Sequence, residues 1–227
     1  MSLLRDVADA FLSGDQSLVQ ILGLTLALSL LSTGLSVLTG FPAGVLLASC
    51  RFPGRRLLRR LLQTLMGLPP VIAGLVVFLL LSRSGPLGSL NLLFSLPAMV
   101  IAQVVLIFPL IASLTLSAVE QRQAAVEQTV QTLGLSRLRV WLLLLWESRR
   151  ALLTVIMSGF GRALSEVGAV MMVGGNIAGK TRVMTTAILL ETNRGNFGPA
   201  IALGFVLLLL ALLVNLLTGH FQEAAHD

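Results

Sequence analysis

The chain has 227 residues, of which 56% are hydrophobic and only 11% charged; water-soluble domains carry roughly 25% charge, so a soluble globule is excluded. The formal charge is +6, from 16 basic against 10 acidic side chains, and every basic residue except Lys180 is Arg. Most of these arginines flank long apolar runs, which points to the charge bias of membrane topology rather than to nucleic-acid binding.

With a mean hydropathy of +0.92, the chain is an integral membrane protein, and its elements follow from the apolar runs. Residues 1–17 carry Asp6, Asp9 and Asp15, unlike the basic start of a signal peptide. A short interfacial helix is expected there, with Val7, Ala8, Phe11 and Leu12 on one face. Residues 18–50 are too long for one straight span and too short for two with a comfortable loop. One long helix kinked at Pro42 is expected, and the Gly40 and Gly44 pair suits close helix packing. Splitting this run into two spans would move only the N-terminus.

Residues 51–60 hold Arg51, Arg55, Arg56, Arg59 and Arg60 and form a cytoplasmic loop in this reading. Residues 65–82 cross outward, with Pro69 and Pro70 near the inner end, and an outer loop holds Arg83, Gly85, Pro86 and Gly88. Residues 94–116 cross back, interrupted at Pro109. Residues 118–150 return to the cytoplasm with Arg122, Arg137, Arg139, Arg149 and Arg150. Residues 152–173 then cross outward, 174–196 lie outside, and the apolar piece 183–190 is too short to span. Residues 197–217 cross inward, leaving 218–227 as a tail. The result is an all-α domain, 18–217, of about five spans, with the N-terminus outside and the C-terminus in the cytoplasm.

Three groups of polar residues stand out. In 118–150, helix formers run from Glu120, and Val119, Val126, Val130 and Leu133 recur at helical spacing. Gly134 ends that helix and Ser136 caps a second one running into Trp141. Such a hairpin either lies on lipid headgroups or docks a cytoplasmic partner. Within the fourth span, Arg162 and Glu166 share one helix face and can pair. Isolated charges at mid-bilayer cost at least ~2.5–3.5 kcal/mol each, so the pair faces protein or a wet cavity. It is either a lock between helices or part of a gate. Ser158 and Ser165 lie beside the pair, and Ser158, Arg162, Ser165 and Glu166 are the candidates for a pore or gate. Outside, Lys180, Arg182 and Arg194 oppose the positive-inside trend, as a cationic mouth or as headgroup contacts. Gly174 and Gly175 let the chain turn out of the membrane.

Cys50 is the only cysteine, so neither an intrachain disulfide nor a cysteine metal cluster is expected. His220 and His226 sit in the polar tail, and no metal site is expected there. No phosphate-cradling Gly-rich loop and no His-Glu-x-x-His is present.

The stretch Gln128-Thr129-Val130…Gly134 resembles the Glu-Ala-Ala…Gly loop of ABC-importer permeases, in which the glycine also follows six positions on. It departs from that pattern in Gln128 for Glu, Thr129-Val130 for Ala-Ala, and Trp146-Glu147 at the later Leu-Pro position. Leu68-Pro69-Pro70-Val71-Ile72-Ala73-Gly74, Phe108-Pro109-Leu110, Ala163-Leu164-Ser165-Glu166-Val167-Gly168-Ala169 and Asn176-Ile177-Ala178-Gly179-Lys180-Thr181-Arg182 are similar to the oxyanion branch of that family. Thr181-Arg182-Val183-Met184-Thr185-Thr186-Ala187-Ile188, followed by Glu191-Thr192, looks most like the tungstate-type permeases.

The resemblance implies a type I ABC-importer permease fold in a prokaryotic inner membrane, working as a homodimer with the pore at its two-fold axis. It implies that Glu127, Gln128, Thr129, Val130, Gly134 and Ser136 dock one of two ATPase subunits, on which ATP and Mg are held. An extracytoplasmic binding protein would deliver tungstate, or else molybdate or sulfate. This chain would itself be non-catalytic, with no bound cofactor. The rival class is an ATP-independent ion-coupled anion carrier or channel, which calls for more intramembrane carboxylates than Glu166 alone.

Overall fold

The computed structural model describes residues 16–50, 52–133 and 137–223, with side chains described over 18–50, 52–122 and 139–216. The helix expected over 1–17 therefore lies outside the described residues, apart from Gln16 and Ser17, which open the first helix. The helices are α1 (Gln16–Ser49), α2 (Arg55–Met66), α3 (Pro70–Leu81), α4 (Leu96–Leu133), α5 (Arg137–Glu147), α6 (Arg149–Leu164), α7 (Gly168–Gly174), α8 (Met184–Asn193) and α9 (Phe197–Glu223). A 3₁₀ turn, Gly88–Leu90, lies between α3 and α4, and no strand occurs among the described residues.

Three stretches are long and apolar enough to cross a membrane: Leu18–Ser49, Leu96–Arg122 and Phe197–Leu216. Two bent pairs bring the number to five if each is one span: α2 with α3, at 104°, and α6 with α7, at 56°. Pro42 and Pro109 both lie inside continuous helices. Each removes one backbone donor, which neighbouring helices make tolerable in lipid.

Four expectations are corrected. The arginine-rich segment is not a loop: from Arg55 it is a helix, because Arg55, Arg59 and Leu62 recur at helical spacing and face α4. The span expected over 65–82 is broken at Gly67–Pro69, and α3 alone, with 12 residues, is about 18 Å long. The span expected over 152–173 is broken at Ser165–Val167. Finally, Pro109 does not interrupt α4, which runs on for 38 residues and absorbs the separate helix expected from Glu120 to Leu133.

α1 and α4 form the central pair. Small and hydroxyl residues line the buried face of α1, namely Thr25, Ser29, Ser32, Thr33 and Ser36. Gly40 and Gly44 continue that face, and a Cβ at Gly44 would lie 2.6 Å from Cβ of Thr115 and 2.8 Å from the Ala112 carbonyl. A Cβ at Gly40 would meet Ile111 at 2.8 Å. In lipid there is little hydrophobic drive to join helices, so such close backbone approach supplies the attraction. By contrast, leucines of α9 such as Leu208, Leu213 and Leu216 are exposed, as a lipid-facing helix requires.

Gly44→Val forces α1 and α4 apart and should destabilise the fold by about 1–3 kcal/mol. Gly34→Ala, where no atom lies within 4 Å, should be neutral. Thermal unfolding of both variants in detergent checks the contrast.

Candidate functional site

The two breaks lie against each other. A Cβ on Gly168, the first residue of α7, would meet Val71 Cγ2 at 3.1 Å and Pro70 Cβ at 3.5 Å. One turn on, a Cβ on Gly74 would sit 2.7 Å from the Ala169 Cα, so α3 and α7 pack backbone to backbone. α3 and α7 thus form one packed unit, and its seam ends at the breaks.

Helix ends inside a bilayer expose backbone groups that water cannot satisfy. At this break the side chains satisfy them. Glu166 Oε1 accepts the Ala169 amide at 3.1 Å, capping the start of α7. Gln103, on α4 and 1% exposed, donates from Nε2 to the Ala163 carbonyl at the end of α6, at 3.0 Å. Its Oε1 accepts the Ser32 hydroxyl of α1 at 2.6 Å. Thr185 of α8 donates to the Glu166 carbonyl at 2.9 Å, and Thr25 of α1 accepts the Met184 amide at 2.9 Å. The apolar piece 183–190, expected as part of an outer segment, is accordingly half sunk in the bundle, with Met184, Thr185, Thr186 and Ala187 buried.

Arg162 and Glu166 do meet, with Nη2 and Oε2 3.7 Å apart, although the helix between them has already ended. They are not equivalent. The Glu166 side chain is 3% exposed and that of Arg162 is 39% exposed. Arg162 opens into a cleft of about 400 Å³, lined also by Met66, Gly67, Leu68, Pro69, Pro70, Leu106 and Leu110. Ser158 of α6 and Ser165, just past its end, are exposed but are not among the residues lining that cleft; their hydroxyls donate to the Thr154 and Arg162 carbonyls. The sequence singled out Arg162 as a candidate, and it gave no role to Gln103, Thr185 or the elbow at Gly67. The lone amide inside an apolar span was the available signal for Gln103.

The other candidates are dispersed. Arg182 is turned inward, its Nε donating to Asn176 Oδ1 at 3.2 Å, and Arg194 pairs with Glu191 at 3.2 Å, whereas Lys180 is exposed. Gly175 has φ +69, which gives the turn after α7. Glu127, Gln128, Thr129 and Val130 lie on the α4 helix, with side chains outside the described residues; Gly134 and Ser136 lie outside them altogether. The far side of the hairpin is firmly seated: Leu144 of α5 is buried with Val45, Leu62, Leu116 and Val119 of α1, α2 and α4.

A helical membrane domain with two bent helix pairs beside a largely apolar cleft that holds one arginine suits a transport subunit. Residues 40–226 match the family of binding-protein-dependent transport system inner membrane components, and the chain belongs to that family, with its type I ABC-importer permease fold. It is 40% identical to the tungstate uptake system permease protein TupB of Peptoclostridium acidaminophilum, over 96% of both chains. It is 32% identical to the molybdenum transport system permease protein ModB of Escherichia coli K12, over 81% of this chain and 89% of the relative. It is also 32% identical to the sulfate transport system permease protein CysW of Synechocystis, over 92% of this chain and 81% of the relative. The resemblance carried by the motifs around Pro69, Glu166 and Lys180 is borne out.

Glu166→Leu should lower stability by roughly 1–3 kcal/mol, because it leaves the Ala169 amide and Arg162 without their acceptor. Glu166→Gln keeps an acceptor and should lose less. Thermal melts of the purified variants decide this.

Proposed function

We propose that the chain is the permease subunit of an ATP-driven importer of tetrahedral oxyanions, with tungstate as the first substrate, molybdate second and sulfate third. The observation that carries this reading is Arg162, a half-exposed cation opening into the cleft where both bent spans break. The likeness to tungstate, molybdate and sulfate permeases along most of the chain supports the substrate class. In a homodimer, two Arg162 guanidiniums supply two positive charges against a dianion. Arginine suits this because its planar donors match oxyanion edges. Discrimination among three near-isosteric dianions then rests chiefly with the extracytoplasmic binding protein.

Orientation is supported by the ion pairs of Glu120 with Arg55, at 3.1 Å, and with Arg59. They tie α2 to α4 just before the hairpin, so both arginine clusters lie at one end of the bundle. Positive-inside topology makes that end cytoplasmic, with the N-terminus outside and the C-terminus inside. The residues around Gln128 to Gly134 dock an ATPase subunit there, one per protomer. Closure of the ATPase pair moves the hairpin, and α5 passes the motion to α1, α2 and α4 through Leu144. The packed α3–α7 unit rocks at the two breaks, which opens the cleft to one side or the other.

The test is ATPase activity of the permease reconstituted with its candidate ATPase and binding protein. Stimulation is expected at the lowest concentration with tungstate; a lower effective concentration of molybdate or sulfate keeps the mechanism and changes the substrate. Absence of any complex and of any stimulation, with competent subunits, favours the ATP-independent carrier. Within an active complex, Arg162→Gln should lower transport about tenfold or more, the scale of one lost charge-assisted hydrogen bond, while ATPase subunits still bind. Gly134→Val should leave the protein in the membrane and uncouple uptake from ATP hydrolysis; unchanged uptake would remove the docking role.

A further inference from the structure

α2 is divided into three arcs. Arg55, Arg59 and Leu62 turn toward the protein, where Leu62 is buried and Glu120 pairs with both arginines. Arg56, Arg60 and Gln63, again at i, i+4 and i+7, form a second, exposed polar arc. On the opposite side Leu57, Leu58, Leu61 and Leu65 are 63%, 42%, 48% and 42% exposed. A helix that shows water a row of arginines and shows four leucines to its surroundings is stable only at a boundary between hydrocarbon and water.

Arg55 holds the helix at that boundary. Its Nε donates to the Leu47 carbonyl at 2.6 Å and its Nη2 to the Ala48 carbonyl at 2.9 Å, both in the last turn of α1. The arginines enclose a groove of about 280 Å³ lined by Arg55, Arg56, Arg59, Arg60 and Gln63. Glu120 pairs with Arg55 and Arg59 only, so Arg56 and Arg60 leave the groove an excess of positive charge and unfilled donors.

We propose that this groove binds the phosphodiester of an anionic phospholipid, whose acyl chains lie along the leucine arc. Arg56 and Arg60 grip the phosphate oxygens, Gln63 contacts the headgroup, and Arg55 and Arg59 stay committed to α1 and Glu120. Charge and apolar surface lie on adjacent arcs of one short helix, as headgroup and acyl chain do in a lipid, and this favours lipid over a free anion. The inference rests on the chain being a membrane permease; it depends neither on the oxyanion carried nor on the ATPase.

Native mass spectrometry of the full-length permease in detergent, titrated with dioleoyl phosphatidylglycerol or phosphatidylcholine, tests it. Phosphatidylglycerol is expected to bind preferentially. The R56Q/R60Q double variant should weaken it about thirtyfold, the effect of two surface arginines on an anionic lipid. R56K/R60K keeps the charge and should restore most of the binding, which separates loss of the site from loss of the fold. Equal retention by wild type and R56Q/R60Q overturns the proposal. So does displacement of the lipid by millimolar inorganic phosphate or tungstate, which would mark a free-anion site. Unchanged lipid retention together with lost co-purification of the ATPase subunit would make the arc a protein-docking surface and overturn it as well.

Discussion

A backbone amide or carbonyl inside a bilayer has no water to turn to, and that constraint explains most of what is unusual here. Every break in a span must be capped from within the protein. The end of α6 is capped by Gln103 from α4, the start of α7 by Glu166, and the Glu166 carbonyl by Thr185 from α8. The end of α1 is capped by Arg55 from α2. Gln103, Thr185 and Arg55 each reach the break or helix end from another helix, so these bonds also stitch the bundle together. A mid-membrane glutamine or glutamate is costly alone and inexpensive once its lone pairs and protons are engaged.

The same constraint governs how the domain can move. A continuous helix transmits motion as a rod, whereas a capped break can flex while keeping its hydrogen bonds. α1 and α4 are unbroken through Pro42 and Pro109, and glycine contacts clamp them together. α3 and α7 follow the breaks at Gly67–Pro69 and Ser165–Val167 and are clamped to each other through Gly74 and Ala169. α3 and α7 also share one apolar core with α1 and α4, formed by Leu28, Val77, Met99 and Val170 among others. Arg162 stands beside both breaks and lines the cleft with residues 66–70.

The span positions were legible because hydropathy over about 20 residues is a bulk property that tertiary contacts barely alter. The Gly40 and Gly44 contact was legible for a similar reason, since glycine at helical spacing leaves a groove whatever fills it. The breaks were not. From Leu152 to Val173 the chain stays largely apolar, and three residues of non-helical backbone do not disturb that average. What ends α6 is the distant Gln103 and the folding back of Glu166, and neither is visible in local pattern. The helix at Arg55–Met66 was legible in principle. The spacing of Arg55, Arg59 and Leu62 is helical, but five arginines in a row of ten residues were credited to topology alone. Charge content and charge spacing carry separate information.

The distribution of arginine partners gives the last step. Arg182 and Arg194 are held by Asn176 and Glu191, and Arg55 and Arg59 by Glu120. Those cations are structural, and their capacity to attract an anion is already largely used. Arg162 differs, because its partner Glu166 is turned away from the cleft, divides itself with the Ala169 amide, and stands at a loose 3.7 Å. The carboxylate makes the guanidinium tolerable inside the membrane without closing its donors, which then face the cleft. A buried carboxylate that supports a cation but does not neutralise its exposed face reconciles an acidic residue at this depth with a permease proposed to carry anions.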